Sequence, residues 1–444
     1  MINKFSEEKI IELIKTNNIN FIRLQFVDIF GIQKNVLISS NQIKKALSGQ
    51  IMIDGSSIEG FVRVNESDQY LKPDINTFMI LPWESENGKV ARFICDVYNP
   101  DGSNFIGDPR SVLKKALKKA SDKGYIFNVG PECEFFLFQL DKENRPSTKT
   151  NDEASYFDLG PLDRGENVRQ KICLALEELG FEIEAAHHEV AAGQHEIDFK
   201  YTDALRAADN IMTFKLAVKT IAQKNNLHAT FMPKPIFGVC GSGMHINMSI
   251  FKNNQNIFFD INNKKKLSKT AYNFIAGLIN HIDAITAITN PLVNSYKRLV
   301  PGYEAPCFSA WSTGNRSALI RVPTARGQST RLELRSPDPS CNPYLAFAVC
   351  LEAGLDGIDK NLEPPKEIIK NIYDMNETDL IKHNIKKLPD SLISAIEFLK
   401  QDKVIINALG PHVFSQYVVG KQREYKEYIT RISNWEINKY ITLY

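Results

Sequence analysis

Apolar and polar positions alternate in short blocks over the first hundred residues. Residues 6–16 carry apolar side chains at helical spacing behind Ser6, a residue type that caps helix N-termini, so we predict a helix there. A second, shorter helix is expected around 41–48. Strands are predicted on either side of Gly31 in NFIRLQFVDIFGIQKNVLI, and again in INTFMILPW and VARFICDVY. These elements indicate a small α+β unit.

A turn cluster, Asn-Pro-Asp-Gly at 99–102, predicts a domain boundary, so we divide the chain into residues 1–103 and 104–444. Beyond it, Asp108 and Pro109 begin a basic amphipathic helix that Gly124 ends. From there strands alternate with long helices, which we predict at 164–179, 202–225, 268–289, 342–358, 389–400 and 413–432. The lysine-rich segment at 251–269 is predicted as a solvated hairpin or loop rather than a nucleic-acid patch.

Composition narrows the class of protein. The chain has 444 residues, enough for two or three domains, and its 43% hydrophobic content is typical of a globular protein. The formal net charge is only +2, which gives no attraction to nucleic acid or to an acidic membrane surface. The sequence therefore favours small-molecule chemistry over a nucleic-acid or membrane partner.

The cellular compartment is predicted from cysteine usage and the absence of targeting signals. The seven cysteines are scattered without a CxxC pair, as in proteins of a reducing compartment. The N-terminal stretch is charged throughout, unlike a signal peptide, and no apolar run reaches the length of a membrane helix. We therefore expect a cytoplasmic protein.

Acidic residues occupy predicted strands whose other residues are apolar and are expected to lie in the hydrophobic core. In PECEFFLF, 131–138, a single strand would point Glu132 and Glu134 to one face and Cys133 to the other. Two buried carboxylates side by side are costly unless a cation neutralises them. The alternative is a pair of edge-strand glutamates in water.

A second such segment is HHEVAAGQHEIDF, 187–199. Glu189 and Glu196 flank a predicted tight turn, so they would face each other across two strands and share an ion. His187, His188 and His195 are also candidate ligands, although a single histidine more often serves as a structural hydrogen-bond donor.

Two further segments add polar strand faces. In GVCGSGMHINMSIF, Gly241, Ser242 and Gly243 allow close backbone approach, and His245, Asn247 and Ser249 then share one face. In TRLELRSPDPSCNPYL, one face carries Arg331, Glu333 and Arg335. That face is either a surface ion-pair ladder or an anion clamp beside a metal ligand.

Together, five glutamates and one histidine provide ligands for two divalent cations. Carboxylate-rich ligation suits Mg²⁺ or Mn²⁺, and two such ions nearly balance the five negative charges. A group of arginines indicates anion binding, with surface placement as the alternative: Arg298, Arg316, Arg321, Arg326, Arg331 and Arg335. There is no GxxxxGK[ST] sequence, so phosphoryl transfer here would rely on positioning and charge neutralisation rather than on a P-loop.

At this point the motifs resemble those of class I glutamine synthetases, in family order. The matching strings are MIDGSSIEGF at 52–61, PECEFFLF at 131–138, GSGMH at 241–245, NPLVNSYKRLVPGYEAP at 290–306 and RLELRSPDPSCNPYLA at 331–346. The resemblance implies an α+β protein with an N-terminal β-grasp domain. A larger catalytic domain follows, in which helices surround an antiparallel sheet that lines the active site.

The resemblance also implies roles for the candidate residues. Glu134, Glu189 and Glu196 would hold one metal ion, and Glu132, His245 and Glu333 the other. The substrate glutamate and the phosphate in transfer would be bound by Gly241, Arg298, Arg316 and Arg335. ATP would be bound by Tyr201, Asn247, Ser249, Arg321 and Arg331.

Two acids would handle the ammonium ion. Asp54 resembles the residue that deprotonates it from a neighbouring subunit, and Glu304 resembles the flap residue that closes the site. A carboxylate beside ammonium attracts the cation and then accepts its proton. Without the resemblance, Asp54 reads as a turn cap and Glu304 as an ordinary loop charge.

Three positions bear on regulation and substrate contacts. Cys240 stands where the family is expected to have asparagine, and a thiol is a poor hydrogen-bond partner. Arg63 matches the arginine with which the shorter, feedback-inhibited subclass senses glutamine. Tyr373 lies near the position that the longer subclass adenylylates, but the local match is partial, so modification is not expected.

The resemblance predicts ATP-dependent ligation of ammonia to glutamate through γ-glutamyl phosphate, in a homododecamer of two stacked hexamers. The C-terminal WEINKYITLY is expected to reach the opposite ring, and a nitrogen-responsive transcriptional repressor is a predicted partner. One alternative is a γ-glutamyl ligase for a polyamine or another amine. Another is a regulatory protein without catalysis, which the complete set of metal ligands disfavours.

Overall fold

The computed structural model describes residues 5–61, 67–83 and 87–444. Over this part of the chain, the strands are β1 Ile19–Val27, β2 Gln33–Ser39, β3 Ile51–Asp54, β4 Asp68–Pro73, β5 Met79–Ile80, β6 Lys89–Tyr98, β7 Ile126–Cys133, β8 Phe135–Leu140, β9 Pro146–Thr150, β10 Ile183–His188, β11 Gln194–Phe199, β12 Thr202–Asp203, β13 Leu227–Thr230, β14 Met244–Lys252, β15 Gln255–Asn256, β16 Trp311–Thr313, β17 Ile320–Val322 and β18 Leu332–Leu334.

The helices of the same residues are α1 Glu7–Thr16, α2 Ile43–Leu47, α3 Pro109–Asp122, α4 Glu166–Glu178, α5 Ala204–Lys224, α6 Lys269–Thr289, α7 Ser295–Arg298, α8 Pro343–Asp359, α9 Glu377–Lys382, α10 Leu392–Leu399, α11 Lys403–Leu409, α12 Pro411–Ile429 and α13 Asn434–Tyr440. Among the described residues, no helix combines the length and the apolar character that crossing a lipid bilayer requires.

The N-terminal unit is a six-stranded sheet with α1 against it. Its strand order is β2-β1-β6-β4-β3 with β5 beside β6, and β1 and β6 run parallel. The Ser6 side chain accepts a hydrogen bond from the Lys9 amide and so caps α1 as predicted. The buried faces of α1 and the central strands form a separate hydrophobic cluster that includes Ile10, Leu24 and Phe93.

Two sheets build the rest of the chain around the candidate site. One has the order β10-β11-β8-β13 with β9 beside β8, and the other has the order β12-β7-β14-β18-β17-β16 with β15 beside β14. The pairs β7–β14, β14–β18 and β17–β18 are antiparallel. This arrangement confirms the predicted α+β architecture with an antiparallel sheet at its centre.

The prediction of one continuous strand over 131–138 was wrong. β7 ends at Cys133, β8 begins at Phe135, and the two strands belong to different sheets. At the break, the Glu134 amide donates to the Gly243 carbonyl at 3.1 Å instead of continuing a ladder. Alternation along the sequence could not reveal the break, because the residues that capture this amide lie a hundred positions away.

Helices α6 and α8 pack against each other at the centre of the large hydrophobic core. A Cβ atom at Gly277 would lie 2.1 Å from the Ala353 carbonyl oxygen, and one at Gly357 would lie 2.1 Å from that of Asn273. Glycine is therefore required at both positions for this close helix contact.

Arg110, at the start of α3, ties the N-terminal sheet to the larger unit. Its guanidinium donates to Asp74 and Asp96 at 2.7 Å and, from the other side, to Asp209 of α5 at 2.9 and 3.0 Å. The arginine is 3% exposed, so these are buried, charge-assisted bonds. They fix the orientation of the two units, although the exact domain boundary at 103 stays a prediction.

The long predicted helices are confirmed with boundary shifts of a few residues, and in the predicted hairpin or loop at 251–269 the last two residues of β14 pair with β15. The helix predicted at 41–48 begins as a 3-10 turn over Ser40–Gln42. The strands that were not predicted are β3, β4, β9, β12, β13, β16 and β17, and the helices that were not predicted are α7, α9, α11 and α13. The segment INTFMILPW contributes only the two-residue β5, because a 3-10 turn occupies Ile75–Thr77.

Candidate active site

A polar cavity of about 460 Å³ lies where β7, β11, β14 and β18 come together. It collects most of the residues singled out from the sequence, from segments far apart along the chain: Glu132, Glu134, Glu189, Glu196, Gly241, His245, Arg298, Glu304, Arg316, Arg321, Glu333 and Arg335. Tyr156, His187, Val190, Gln194, Asp198, Cys240 and Tyr303 complete its lining.

One group of potential metal ligands spans three neighbouring strands. His245 of β14 is the register partner of Glu132 in β7, and its Nδ1 lies 3.2 Å from Glu132 Oε2 and 3.7 Å from Glu333 Oε1 of β18. One ligand atom from each of the three residues lies within 4.8 Å of the others. The structure thus brings together the trio proposed from the sequence.

A second group lies on the β10–β11 hairpin. His187, Glu189 and Glu196 place ligand atoms within 4.8 Å of one another, with His187 Nδ1 3.4 Å from Glu189 Oε1. Glu134 lines the same cavity, but its Oε2 accepts hydrogen bonds from Gln194 and the Gly243 amide, both at 2.8 Å. The resemblance implied Glu134, Glu189 and Glu196 as the ligands of this ion. The group found here contains His187 and does not include Glu134.

The carboxylates of this cavity repel one another. Burial, with a contribution from the neighbouring Glu189, raises the pKa of Glu134 to about 7. Burial and the nearby Glu134 likewise raise the pKa of Glu196 well above its ordinary value. Burial also acts on Glu132, but the hydrogen bond and positive charge of His245 outweigh it and lower the pKa of Glu132 to about 2.

These donors fit divalent cations that prefer oxygen. The second group offers carboxylates whose mutual repulsion a cation would relieve, and the first offers two carboxylates and one imidazole. Predominantly oxygen donors suit Mg²⁺ or Mn²⁺ better than a structural zinc site, which is rich in cysteine and histidine.

Arginines surround the first group. The Arg321 Nη1 lies 2.6 Å from Glu333 Oε2, and Arg335 contacts Glu333 through the other carboxylate oxygen. Arg298 is 3% exposed and donates to the backbone carbonyls of Ser336 and Pro337. These bonds hold guanidinium charge at the cavity wall, as anion binding requires.

Arg326 differs from the other arginines of its segment. It donates to the backbone carbonyl oxygens of Lys265 and Ala325 at 3.0 and 2.8 Å. It lines neither this cavity nor the second cavity that opens beside Glu132. Of the six arginines that the sequence indicated for anion binding, Arg326 is therefore not part of the lining of either cavity.

The glycines before β14 allow the walls of the cavity to approach each other. A Cβ at Gly241 would lie 2.2 Å from the Pro233 carbonyl oxygen, and one at Gly243 would lie 2.6 Å from Arg298 Nη2. The Gln194 side chain also donates to the Gly241 carbonyl at 3.2 Å. The glycine requirement thus arises from packing between protein segments at the site.

A second cavity of about 360 Å³ opens beside the first. It contains four of the residues assigned to ATP by resemblance: Tyr201, Asn247, Ser249 and Arg331. Arg331 donates to Asn247 Oδ1 at 3.0 Å, and Asn247 donates to Glu132 Oε1 at 2.8 Å. Arg321, the fifth, lies in the first cavity instead. Glu132 and Asp198 line both cavities, which therefore adjoin at these residues.

Asp54 does not line either cavity. Asp54 is exposed and accepts hydrogen bonds from the Ser56 amide at 2.9 Å and from the Ser57 hydroxyl at 3.2 Å, so within this chain it caps its own turn. Arg63, proposed for feedback control, lies outside the described residues.

Two of the three candidate histidines of the hairpin, His188 and His195, do not line the cavity; with Asp152 and Asp163 they form a separate buried group whose potential ligand atoms lie within 4.8 Å of one another. His188 Nε2 lies 3.1 Å from Asp152, and His195 Nδ1 lies 3.0 Å from Arg169, all in a fully buried cluster behind the cavity. The sequence did not single out Tyr156, Gln194 or Asp198 as site residues. Gln194 and Asp198 lie two residues before and two residues after Glu196 on β11, and therefore on the same strand face. This spacing could have identified them from the sequence.

Comparisons with known proteins agree with this geometry. The glutamine synthetase β-grasp domain family matches residues 18–100, and the glutamine synthetase catalytic domain family matches residues 106–440. A curated glutamine synthetase from Clostridium saccharobutylicum is 59% identical over 441 residues, covering 99% of this chain and 100% of the relative. One from Staphylococcus aureus strain Mu50 is 55% identical over 441 residues, covering 99% of each.

Solved structures give the same result. A structure titled "GmaS/ADP complex-Conformation 1" superposes with a TM-score of 0.89 at 31% identity, covering 97% of this chain and 99% of that one. A cryo-EM structure of Plasmodium falciparum glutamine synthetase has a TM-score of 0.87 at 26% identity, covering 99% of each chain. The chain belongs to the glutamine synthetase family, and its full-length match to bacterial relatives places it with the short bacterial type I members.

Proposed function

We propose that this protein is a glutamate–ammonia ligase that uses ATP to form glutamine. The observation that carries the proposal is the pair of adjoining cavities, one acidic with two groups of candidate metal ligands and the other lined by Tyr201, Asn247 and Ser249. A nucleotide in the second cavity would extend its phosphates past Glu132 toward the first. Glutamate would then meet the γ-phosphate there.

The chemistry has two steps. The γ-carboxylate of glutamate attacks the γ-phosphorus of ATP, forming γ-glutamyl phosphate and releasing ADP. Ammonia then attacks the carbonyl carbon of this acyl phosphate and displaces phosphate, which gives glutamine. Both steps depend on in-line placement and on neutralising phosphate charge, rather than on a nucleophile from the protein.

Two divalent ions, Mg²⁺ or Mn²⁺, are assigned to the acidic groups. Glu132, His245 and Glu333 would hold one ion, and Glu134, Glu189 and Glu196, with His187 beside them, would hold the other. When bound, such ions neutralise phosphate oxygens and orient the transferring group. Coordination by Glu134 needs its Oε1, because Oε2 is engaged by Gln194 and Gly243.

The arginines are assigned to substrate anions. Arg298 and Arg335 are buried in the cavity wall, and the exposed Arg316 lines the same cavity as Glu134. Guanidinium groups bind carboxylate and phosphate oxygens through paired hydrogen bonds. Glutamate would lie here, with its amino group toward Gly241.

The nucleotide is assigned to the second cavity. The exposed Tyr201 ring offers a surface for the adenine base, and Asn247, Ser249 and Arg331 offer hydrogen-bond partners for ribose and phosphate. Arg321 stands beside Glu333 in the first cavity, where it would meet the terminal phosphates. The structural relative titled as an ADP complex supports nucleotide binding by this fold.

Ammonium is assigned to Glu304 and to Asp54 of a neighbouring subunit. Glu304 lines the first cavity from the loop at 299–306, whereas Asp54 does not reach the cavity of its own chain. Its turn is exposed and belongs to the N-terminal sheet, as a residue donated to another subunit would be. The carboxylates would attract ammonium and accept its proton.

The assembly and its regulation follow the resemblance. We assign a homododecamer of two stacked hexamers. Helix α13 and the residues after it support this assembly, because Trp435, Ile441 and Leu443 are exposed on a single chain. Feedback inhibition by glutamine through Arg63, and binding of a nitrogen-responsive repressor, complete the proposal.

The direct test is phosphate release and glutamine formation with ATP, glutamate and Mg²⁺ or Mn²⁺, comparing ammonium with polyamines. We expect dependence on glutamate and ammonium, and loss of activity in Glu333→Gln. Glu182→Gln is the matched control, because Glu182 pairs with Lys200 on the surface at 2.8 Å. Higher activity with a polyamine than with ammonium would show that the amine substrate is not ammonia. Phosphate release that does not depend on any amine would contradict the proposal that the protein is a ligase.

A further inference from the structure

The loop at 299–306 is anchored on both sides of Glu304. On one side, the Lys234 Nζ lies 3.6 Å from the centre of the Tyr303 ring. On the other side, the Tyr373 hydroxyl donates to the Ala305 carbonyl at 2.7 Å. Glu304 itself has φ +60°, a left-handed conformation that a residue with a side chain adopts at a cost.

The tip of this loop has no packing of its own. A Cβ placed on Gly302 would meet no atom within 4 Å. The conformation of Glu304 therefore depends on the contacts made by its two sequence neighbours, Tyr303 and Ala305, more than on packing at the tip.

Tyr373 is itself held firmly. It lies in the 3-10 turn Ile372–Asp374, and the buried Ile372 donates its amide to Ser317 Oγ at 3.0 Å. The Asn315 side chain donates to the Lys370 carbonyl at 2.8 Å. Burial raises the pKa of the Tyr373 hydroxyl to about 12, so it stays protonated and able to donate at physiological pH.

The same turn connects the two sides of the site. Asn315 and Ser317, which fix the Tyr373 turn, flank Arg316, and Tyr373 in turn contacts the loop of Glu304. A cavity of about 440 Å³ between these segments is lined by Glu304, Arg316 and Tyr373, among others. The positions of the proposed substrate arginine and of the proposed flap acid are thus mechanically connected through Tyr373.

The opposite anchor is equally well supported. Lys234 is 8% exposed, and its backbone is held by Asn294, whose side chain accepts from the Lys234 amide at 2.8 Å and donates to its carbonyl at 3.0 Å. A largely desolvated ammonium over an aromatic face is an attractive cation–π contact.

We infer that Tyr373 and Lys234 are positioning residues that clamp the Glu304 loop over the acidic cavity during turnover. Neither is assigned to metal, nucleotide or substrate above. The inference rests on the proposed function, because the clamp protects an acyl phosphate from water. When the loop is loosened, water attacks γ-glutamyl phosphate in place of ammonia and gives glutamate and phosphate, so ATP is consumed without glutamine.

The test is the ratio of phosphate released to glutamine formed in full-length, assembled Tyr373→Phe enzyme. Loss of one hydrogen bond is expected to lower kcat for glutamine roughly two- to tenfold and to raise the ratio above that of the wild type. The matched control is Tyr417→Phe, whose hydroxyl also donates to a backbone carbonyl at 2.7 Å, that of Ala287 in α6. Its ratio should equal that of the wild type.

A second variant, Tyr303→Leu, removes the aromatic ring from Lys234 and should raise the ratio in the same direction. Equal ratios in the wild type, Tyr373→Phe and Tyr303→Leu would overturn the clamp, as would a rise in Tyr417→Phe as large as that in Tyr373→Phe. Failure of the proposed function is a separate result, since the wild type itself would then make no glutamine.

Discussion

Glu132 and His245 face each other across two antiparallel strands, with Oε2 and Nδ1 3.2 Å apart. Glu333 stands on the next strand, beyond β14, 3.7 Å from the same imidazole nitrogen. Neighbouring strands in a sheet are about 4.8 Å apart, so the ladder itself sets the spacing of these three side chains. A site built on strands in this way is more rigid than one built on loops.

Glu132→Gln should weaken binding of Mn²⁺ while leaving the fold intact. The amide keeps the shape of the side chain but removes a negative donor from the group with His245 and Glu333, so we expect the Kd of one ion to rise about tenfold or more. Titration of free Mn²⁺ with metal-free protein measures this without any activity assay. Unchanged affinity, with Glu182→Gln as the surface control, would remove Glu132 from the metal site.

Mixing two inactive variants tests whether Asp54 acts in a neighbouring subunit. Asp54→Asn chains keep their metal ligands, and Glu333→Gln chains keep Asp54, so joint reassembly should restore part of the activity at sites that combine the intact residues. Glu132→Gln mixed with Glu333→Gln is the control and should stay inactive, because both residues belong to the same trio of one chain. No recovery in the first mixture would place the action of Asp54 elsewhere.

Cys240→Asn should tighten glutamate binding. Cys240 lines the first cavity beside Gly241, and burial raises the pKa of its thiol to about 11, so it is a neutral and weak hydrogen-bond partner. An amide at this position adds a donor and an acceptor, which should lower KM for glutamate roughly two- to tenfold. Cys173→Asn, outside the cavity on α4, is the control. A KM that stays the same or rises would count against this role.

His281 should make stability depend on pH. Burial alone lowers the pKa of this imidazole, but hydrogen bonds to Asp402 at 2.6 Å and Asp356 at 3.1 Å outweigh burial and raise it. The raised pKa means that the stabilisation is complete below the unfolded value of about 6.5 and is lost as the pH rises through the folded value.

His281→Asn should therefore lower the free energy of unfolding by about 1–3 kcal/mol near pH 6, with a smaller difference at alkaline pH. Denaturant unfolding at several pH values measures the effect, and the exposed His383→Asn serves as the control. A difference that is constant across this range would show that the charged form of His281 does not contribute.

Local patterns predicted local structure well where a cap or a period was present. Ser6 caps α1, Asp108 caps α3, and Gly124 with φ +75° ends the latter, all as read from the sequence. The helices that were missed are short: α11 has seven residues despite its Asp402 cap, and α7 has four residues and no side-chain cap. Short elements form because tertiary contacts stabilise them, and the sequence carries little sign of this.

The sequence by itself determined the chemistry of the site: carboxylates at a period of two, glycines before a histidine-headed strand, and the arginines of one segment, together with the family. The tertiary structure alone decided which of these side chains meet. The strand is interrupted at Glu134, and His187 rather than Glu134 belongs to the second group of potential metal ligands. Arg326 binds backbone carbonyl oxygens, and Asp54 lies outside the cavity of its own chain. The physical reason is that side-chain alternation depends on adjacent residues, whereas distances across sheets depend on strand order and on hydrogen bonds between residues far apart in the chain.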